Sequence, residues 1–177
     1  MISLQFTLTR EEYFQFNYYT AWAAPSRKNY RIRYFLKVLL LYGAVALLYI
    51  LVSRSHSVWI DISVFVITGS LYLFFIPFFI KKSVERRVND ILSKKENQHV
   101  LDEAEVILTD AGITDKDTVS ESRYAWDAIV NFAETPDSYY LYTNSYYAIV
   151  IPKRVIKTEA VHAALKKLFN EHLPLEA

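Results

Sequence analysis

The chain has 177 residues with no cysteine, 53% hydrophobic and 16% aromatic side chains, and 20 basic against 19 acidic groups for a formal charge of +1. This composition excludes intrinsic disorder, a disulfide scaffold, a thiolate metal site and the basic excess of a typical nucleic-acid binder. It allows one compact domain, or a smaller domain with something added to it.

Residues 2–8 alternate, with Ile2, Leu4, Phe6 and Leu8 on one side and Ser3, Gln5 and Thr7 on the other, which predicts a half-buried strand. Thr9 followed three positions later by Glu12 matches a capping box and predicts a helix running to about Ala23. Its aromatic residues Tyr13, Phe14, Phe16, Tyr18, Tyr19 and Trp22 are too many for one narrow stripe. Such a helix suits a membrane interface or packing against a soluble domain, and different faces can do both.

Residues 35–52 then form an apolar run with one charge, Lys37, and residues 58–80 a second with one charge, Asp61. At a rise of 1.5 Å per residue they extend about 27 and 34 Å, which matches a hydrocarbon core of roughly 30 Å. The five residues between them, Ser53, Arg54, Ser55, His56 and Ser57, are too few for a domain, so the pair is expected to form an antiparallel transmembrane hairpin. Arg27, Lys28, Arg31, Arg33 and Lys37 flank the first run, Lys81, Lys82, Arg86, Arg87, Lys94 and Lys95 follow the second, and the loop has Arg54. This asymmetry puts both termini in the cytoplasm of a multi-pass inner-membrane protein, with the first span acting as an uncleaved signal anchor. Trp59 and Tyr34 are candidate interface anchors, and Pro77 is expected to kink the second span. Gly43, Ala44 and Ala46 against Gly69 and Ser70 offer small surfaces for packing the two helices, or two protomers of a homo-oligomer.

Residues 81–98 continue as a helical extension with Val84, Val88, Ile91 and Leu92 on one face. Short alternating stretches follow at 103–109, 112–121, 122–132, 138–143 and 146–151, separated by turn residues and closed by Pro152. A last helix at about 158–172 carries Val161, Ala164, Leu165, Leu168 and Phe169 on one face. The expected organisation is therefore 1–33 as strand and aromatic helix, 34–80 as hairpin, 81–98 as extension, and 99–177 as a cytoplasmic domain. That domain is an antiparallel sheet covered by one helix, in an α+β chain. A lone strand is unstable, so residues 2–8 are expected to join the later sheet at its edge.

This order resembles the YcxB-like family of small bacterial membrane proteins. The resemblance is carried by Phe6, Thr7, Leu8 and Thr9 with Glu11 and Glu12, then by Gly112-Ile113, Trp126-Asp127-Ala128-Ile129, Tyr139-Tyr140-Leu141-Tyr142 and Ile151-Pro152-Lys153-Arg154. It implies a domain similar to pleckstrin-homology-like domains, a bent antiparallel sheet closed by a C-terminal helix, and it implies no known reaction. Read as plain residues, Trp126 and Ile129 are candidate core anchors or a ligand platform, Gly112 a position suited to positive φ, and Pro152 a strand end. Lys153, Arg154 and Lys157 form a short basic cluster that suits an anionic headgroup, a partner's carboxylates, or simply a solvated junction.

Charge is divided along the chain: residues 1–98 carry 13 basic and 6 acidic groups, and residues 99–177 carry 7 and 13. The balances of +7 and −6 hold the first part against anionic lipids and repel the second from lipid and nucleic acid. His56, His99, His162 and His172 lie on separate elements without zinc spacing, and no phosphate loop or nucleophile motif occurs. Asp102, Glu103 and Glu105 at a strand entrance are expected to face water. Neither catalytic residues, a cofactor site nor a metal site is expected. Asp61, an acid inside a span, suits either a structural role near the interface, paired with Arg54, or a polar pathway. The expected function is a non-enzymatic interaction or regulatory module with a membrane or cytoplasmic protein partner. The alternatives are an accessory subunit of a transporter and an anionic-lipid sensor.

Overall fold

The computed structural model describes residues 1–52 and 57–173, so a pairing of Asp61 with Arg54 and the position of His56 lie outside the described residues. The chain divides into two compact units, one built from residues 1–17 and 88–177 and the other from residues 18–87.

The first unit draws on both ends of the chain. Strand β1 (Ile2–Thr7) leads to helix α1 (Arg10–Tyr18), and after the second unit come β2 (Glu103–Thr109), β3 (Gly112–Lys116), β4 (Glu121–Tyr124), β5 (Asn131–Glu134), β6 (Ser138–Tyr142), β7 (Ala148–Pro152) and a C-terminal helix (Glu159–His172). Two antiparallel sheets result, β1-β2-β3-β4 and β5-β6-β7. β1 lies on the edge of the first, with Ile2 opposite Leu108, Leu4 opposite Val106 and Phe6 opposite Ala104.

The single stretch expected at 122–132 is broken. After Tyr124 the chain makes a short 3-10 turn at Trp126–Ala128 and begins β5 at Asn131. The cause is Trp126, which turns into the core and donates its indole N–H to the Thr109 carbonyl at 2.9 Å. A buried indole needs such an acceptor, and meeting it takes the backbone out of the ladder. One expected sheet thereby becomes two. Both share a core of Leu4, Phe6, Val106, Leu108, Ile113, Trp126, Ile129, Phe132, Tyr139, Leu141, Ile149 and Ile151, with Leu165, Leu168, Phe169 and Leu173 from the C-terminal segment.

All five residues of β6 are buried. As the central strand of its sheet it places Tyr139 and Leu141 in the core, while Phe16 of α1 lies against Tyr140 and Tyr142 with ring centroids 5.4 and 6.2 Å apart. Successive side chains point to opposite faces, so α1 covers the face that the core does not. The C-terminal helix is capped by Thr158, whose hydroxyl accepts from Val161 N. It buries Leu165, Leu168 and Phe169, but Ala164 is exposed, so its inward stripe is narrower than the sequence suggests.

The second unit contains a π-helical turn (Tyr19–Ala23), α2 (Lys28–Val52) and the start of α3 (Val58–Ser93). α3 runs without a break through Pro77. Both helices are long and apolar enough to cross a membrane, and none of the most apolar window of α2 is buried. A core helix of a soluble protein would be covered, whereas a lipid-facing helix is apolar and bare. Trp22 is buried and packs edge-on against Tyr30, Tyr34 and Phe35. Arg27 donates to the Thr20 carbonyl at 2.9 Å and Arg31 to the Ala24 carbonyl at 2.9 Å. Two guanidinium groups thus brace the π turn and the residue after it through backbone carbonyls, with the Ala24 carbonyl also accepting from Arg27 N at 3.0 Å.

The small-on-small packing expected between the apolar helices is replaced by a ring on a glycine. Tyr42 covers Gly69, where an added Cβ would meet the ring at 2.9 Å, and Tyr42 also lies edge-on to Phe65 at 5.8 Å. Gly43 has open space around it. With Ala46, Gly69 and Ser70 it lines an apolar groove of about 350 Å³.

Candidate functional site

A polar constellation of the first unit joins its two sequence-distant parts. Thr9 and Glu12 cap α1 reciprocally: Thr9 N donates to Glu12 Oε2 at 2.8 Å, and Glu12 N donates to Thr9 Oγ1 at 3.2 Å. The carboxylate also receives Arg154, with Nε at 2.5 Å from Oε1 and Nη2 at 2.9 Å from Oε2. The same Nη2 donates to the Thr7 carbonyl at 2.7 Å. One guanidinium therefore closes β1 and α1 onto the turn after β7. Burial pushes the Glu12 carboxyl up, but the bonds from Arg154 and Thr9 outweigh it and hold Glu12 below its ordinary range.

Lys153 is also occupied. Its ammonium lies 2.7 Å from Glu134 Oε1 and 4.7 Å from the centre of the Tyr139 ring. Burial pushes Glu134 up, and Lys153 and Lys166 more than reverse it, so this acid too stays charged below its ordinary range. Burial and the Glu134 charge push the Tyr139 phenol up to about 12, and its hydroxyl lies 3.0 Å from His162 Nε2.

In the structure Lys153 and Arg154 each pair with a different carboxylate of this chain, Glu134 and Glu12, while Arg154 stays half exposed and Lys157 is exposed. Sequence spacing shows that basic residues are near one another, but not that acids 142 and 19 positions away reach them.

The Glu12–Arg154 pair has a defined pH signature. A carboxyl whose folded pKa is depressed stabilises fully above its unfolded pKa, and that contribution disappears as pH falls through the folded pKa. Glu12→Gln is therefore expected to flatten the acid limb of the unfolding curve and cost about 1 kcal/mol at neutral pH, because Arg154 is half exposed and solvent screens the pair. Thermal melts of both forms from neutral to acid pH check this; parallel curves would contradict it.

Trp126, Ile129, Gly112 and Pro152 gather around the core. Trp126 stacks on His172 with centroids 4.9 Å apart and an interplanar angle of 7°, and Ile129 and Pro152 are buried. Trp126 is buried and belongs to the core cluster. Gly112 has φ of +151°, and a Cβ there would run into the Tyr124 carbonyl oxygen.

Asp110, Glu171 and His172 each bring one potential ligand atom within 4.8 Å of the others. The sequence reading missed this juxtaposition because the β2–β3 turn and the end of the C-terminal helix are far apart in the chain. Both acids are exposed, and the His172 ring is already engaged by Trp126. Asp61 occupies the first turn of α3, where the positive end of the helix dipole favours a carboxylate.

An α+β unit of two antiparallel sheets and a C-terminal helix, combined with two apolar helices of membrane-crossing length, defines the class of protein. Residues 108–169 match the family model described as YcxB-like protein, the family to which the sequence resemblance points. The match contains Gly112, Trp126, Tyr139–Tyr142 and Arg154 and begins after the opening strand and helix. No curated protein and no solved structure matches the chain.

Proposed function

We propose that this is an inner-membrane protein of two spans, with both chain ends in the cytoplasm, whose pleckstrin-homology-like unit is a non-enzymatic interaction or regulatory module. The observation that carries this reading is the joining of two bare, lipid-length helices to a unit whose prominent polar groups are spent on one another. Arg154 and Glu12, Lys153 and Glu134, and Trp126 and Thr109 make structural contacts. Groups set aside for catalysis tend instead to converge on a cleft with perturbed ionisation. Four and three antiparallel strands followed by a helix support the pleckstrin-homology-like reading.

Purification of the full chain in mild detergent, with identification of retained proteins, tests the interaction role. A partner held in fixed proportion by the native chain and lost when the folded unit is disrupted by Gly112→Ala supports it. Equal retention by both forms contradicts it.

Asp61 separates this role from that of a transporter subunit. Near the outer interface, with its charge favoured by the α3 dipole, it serves to set helix position and orientation. Asp61→Asn is expected to leave abundance, membrane insertion and partner retention within about twofold of native, since dipole terms are below about 1 kcal/mol. Loss of function at normal abundance would favour a polar pathway.

A further inference from the structure

The three-stranded sheet is chemically different at its two ends. At one end Glu134, Asp137 and Lys153 surround the β5–β6 turn, and Lys153 N donates to the Asp137 carbonyl at 2.8 Å. At the other, the β6–β7 loop of Thr143, Asn144, Ser145, Tyr146 and Tyr147 carries no charge, and no charged residue occurs anywhere between Ser138 and Pro152. Tyr146 and Tyr147 are 69% and 72% exposed. Val130 is 62% exposed and donates its N–H to the Tyr142 carbonyl at 2.8 Å, which fixes it at this same end.

The loop is held in shape. Asn144 Oδ1 accepts from both Tyr146 N and Tyr147 N, at 2.8 and 2.9 Å, while the Tyr147 carbonyl accepts from Thr143 N at 3.0 Å. Two large aromatic side chains are thus presented outward by a braced turn in a domain that is otherwise acidic. On the sheet face away from the core, Phe16 of α1 packs on Tyr140 and on Tyr142, the last residue of β6 before this loop.

We propose that Tyr146 and Tyr147, with Val130 beside them, form a membrane-interface anchor that seats the cytoplasmic unit on the headgroup layer of the bilayer holding the spans. Tyrosine suits that layer because its ring enters the acyl boundary while its hydroxyl stays wet. The absence of charge avoids the desolvation cost that an acid or a base would incur there. The acidic remainder of the unit is repelled by anionic lipid, which favours contact through this uncharged tip. The anchor rests on the membrane reading above. It differs from an anionic-lipid sensor, because it needs neither Lys153 nor Arg154.

The absence of native cysteine makes a depth measurement direct. The full chain is reconstituted into phosphatidylethanolamine–phosphatidylglycerol vesicles with a nitroxide on Ser145→Cys, Asp137→Cys or Leu47→Cys, and collisions with oxygen and with a water-soluble nickel chelate are compared. Leu47, on α2, reports the span. Oxygen is expected to prevail at Leu47→Cys and, less strongly, at Ser145→Cys, while the chelate prevails at Asp137→Cys. Adding Tyr146→Ser and Tyr147→Ser should return the Ser145→Cys label to the Asp137→Cys pattern with the melting temperature unchanged.

An Ser145→Cys label as open to chelate as Asp137→Cys, while Leu47→Cys remains immersed, overturns the anchor and leaves the spans intact. A Leu47→Cys label open to chelate overturns both. Low collision with both reagents at Ser145→Cys overturns the lipid assignment in favour of a protein contact.

Discussion

Gly112→Ala is expected to destabilise the folded unit by about 3 kcal/mol or more, the scale of a non-glycine residue forced into disallowed backbone combined with a hard steric conflict. Gly112 opens β3 after the two-residue turn from β2, pairs with Thr109, and has φ of +151°. An L side chain rarely adopts that backbone, and its Cβ would collide with the Tyr124 carbonyl oxygen on neighbouring β4. The conflict is with backbone, so no rotamer change relieves it. Tyr124 and Ala125 lead directly into Trp126, whose indole returns to the Thr109 carbonyl. Moving the Tyr124 segment away therefore also disturbs the core anchor. For a unit of this size the melting temperature should fall by roughly 10–20 °C. Thermal unfolding of the full chain in detergent checks this, and a shift of a degree or two would show that the turn can relax.

Removing residues 2–9 is expected to abolish cooperative folding of the unit. Leu4 and Phe6 are buried, and together they contribute about 4 kcal/mol of apolar burial. Their loss also uncovers Val106 and Leu108, unpairs the β2 edge and takes away the Thr7 and Thr9 contacts of the Glu12–Arg154 cluster. The sum approaches the entire stability of an ordinary domain, about 5–15 kcal/mol. If a fragment beginning at residue 98 melts as cooperatively and as high as the whole protein, the N-terminal strand is dispensable and this expectation is wrong.

Local patterning makes some of this architecture legible in the sequence. The alternation through Ile2, Leu4 and Phe6 reads as a strand, Thr9 and Glu12 read as a cap, and two charge-poor runs read as lipid-length helices. The small charge of +1 conceals opposite halves, and the 53% hydrophobic content conceals two helices left bare among ordinary strands.

What fails to be legible depends on long-range partners. Nothing beside Trp126 reveals that its indole will reach Thr109 and split one strand into two elements and one sheet into two. Lys153 and Arg154 look like free cations until Glu134 and Glu12 arrive. Tyr42 filling the space over Gly69 likewise defeats a rule that pairs small residues with small residues. The aromatic helix divides between two environments, Phe16 under β6 and Trp22 against the start of α2, because its excess of rings exceeds what one surface can cover.

The proposed placement of a folded unit, built from residues 1–17 and 88–177, on the cytoplasmic side of a two-span hairpin is tested most directly by labelling intact cells with a membrane-impermeant maleimide. Ser57→Cys, immediately before α3, should react from outside, and Asp137→Cys, in the β5–β6 turn, only after the membrane is opened. Reaction of Asp137→Cys in intact cells, with Ser57→Cys protected, would contradict the topology and with it the proposed cytoplasmic role.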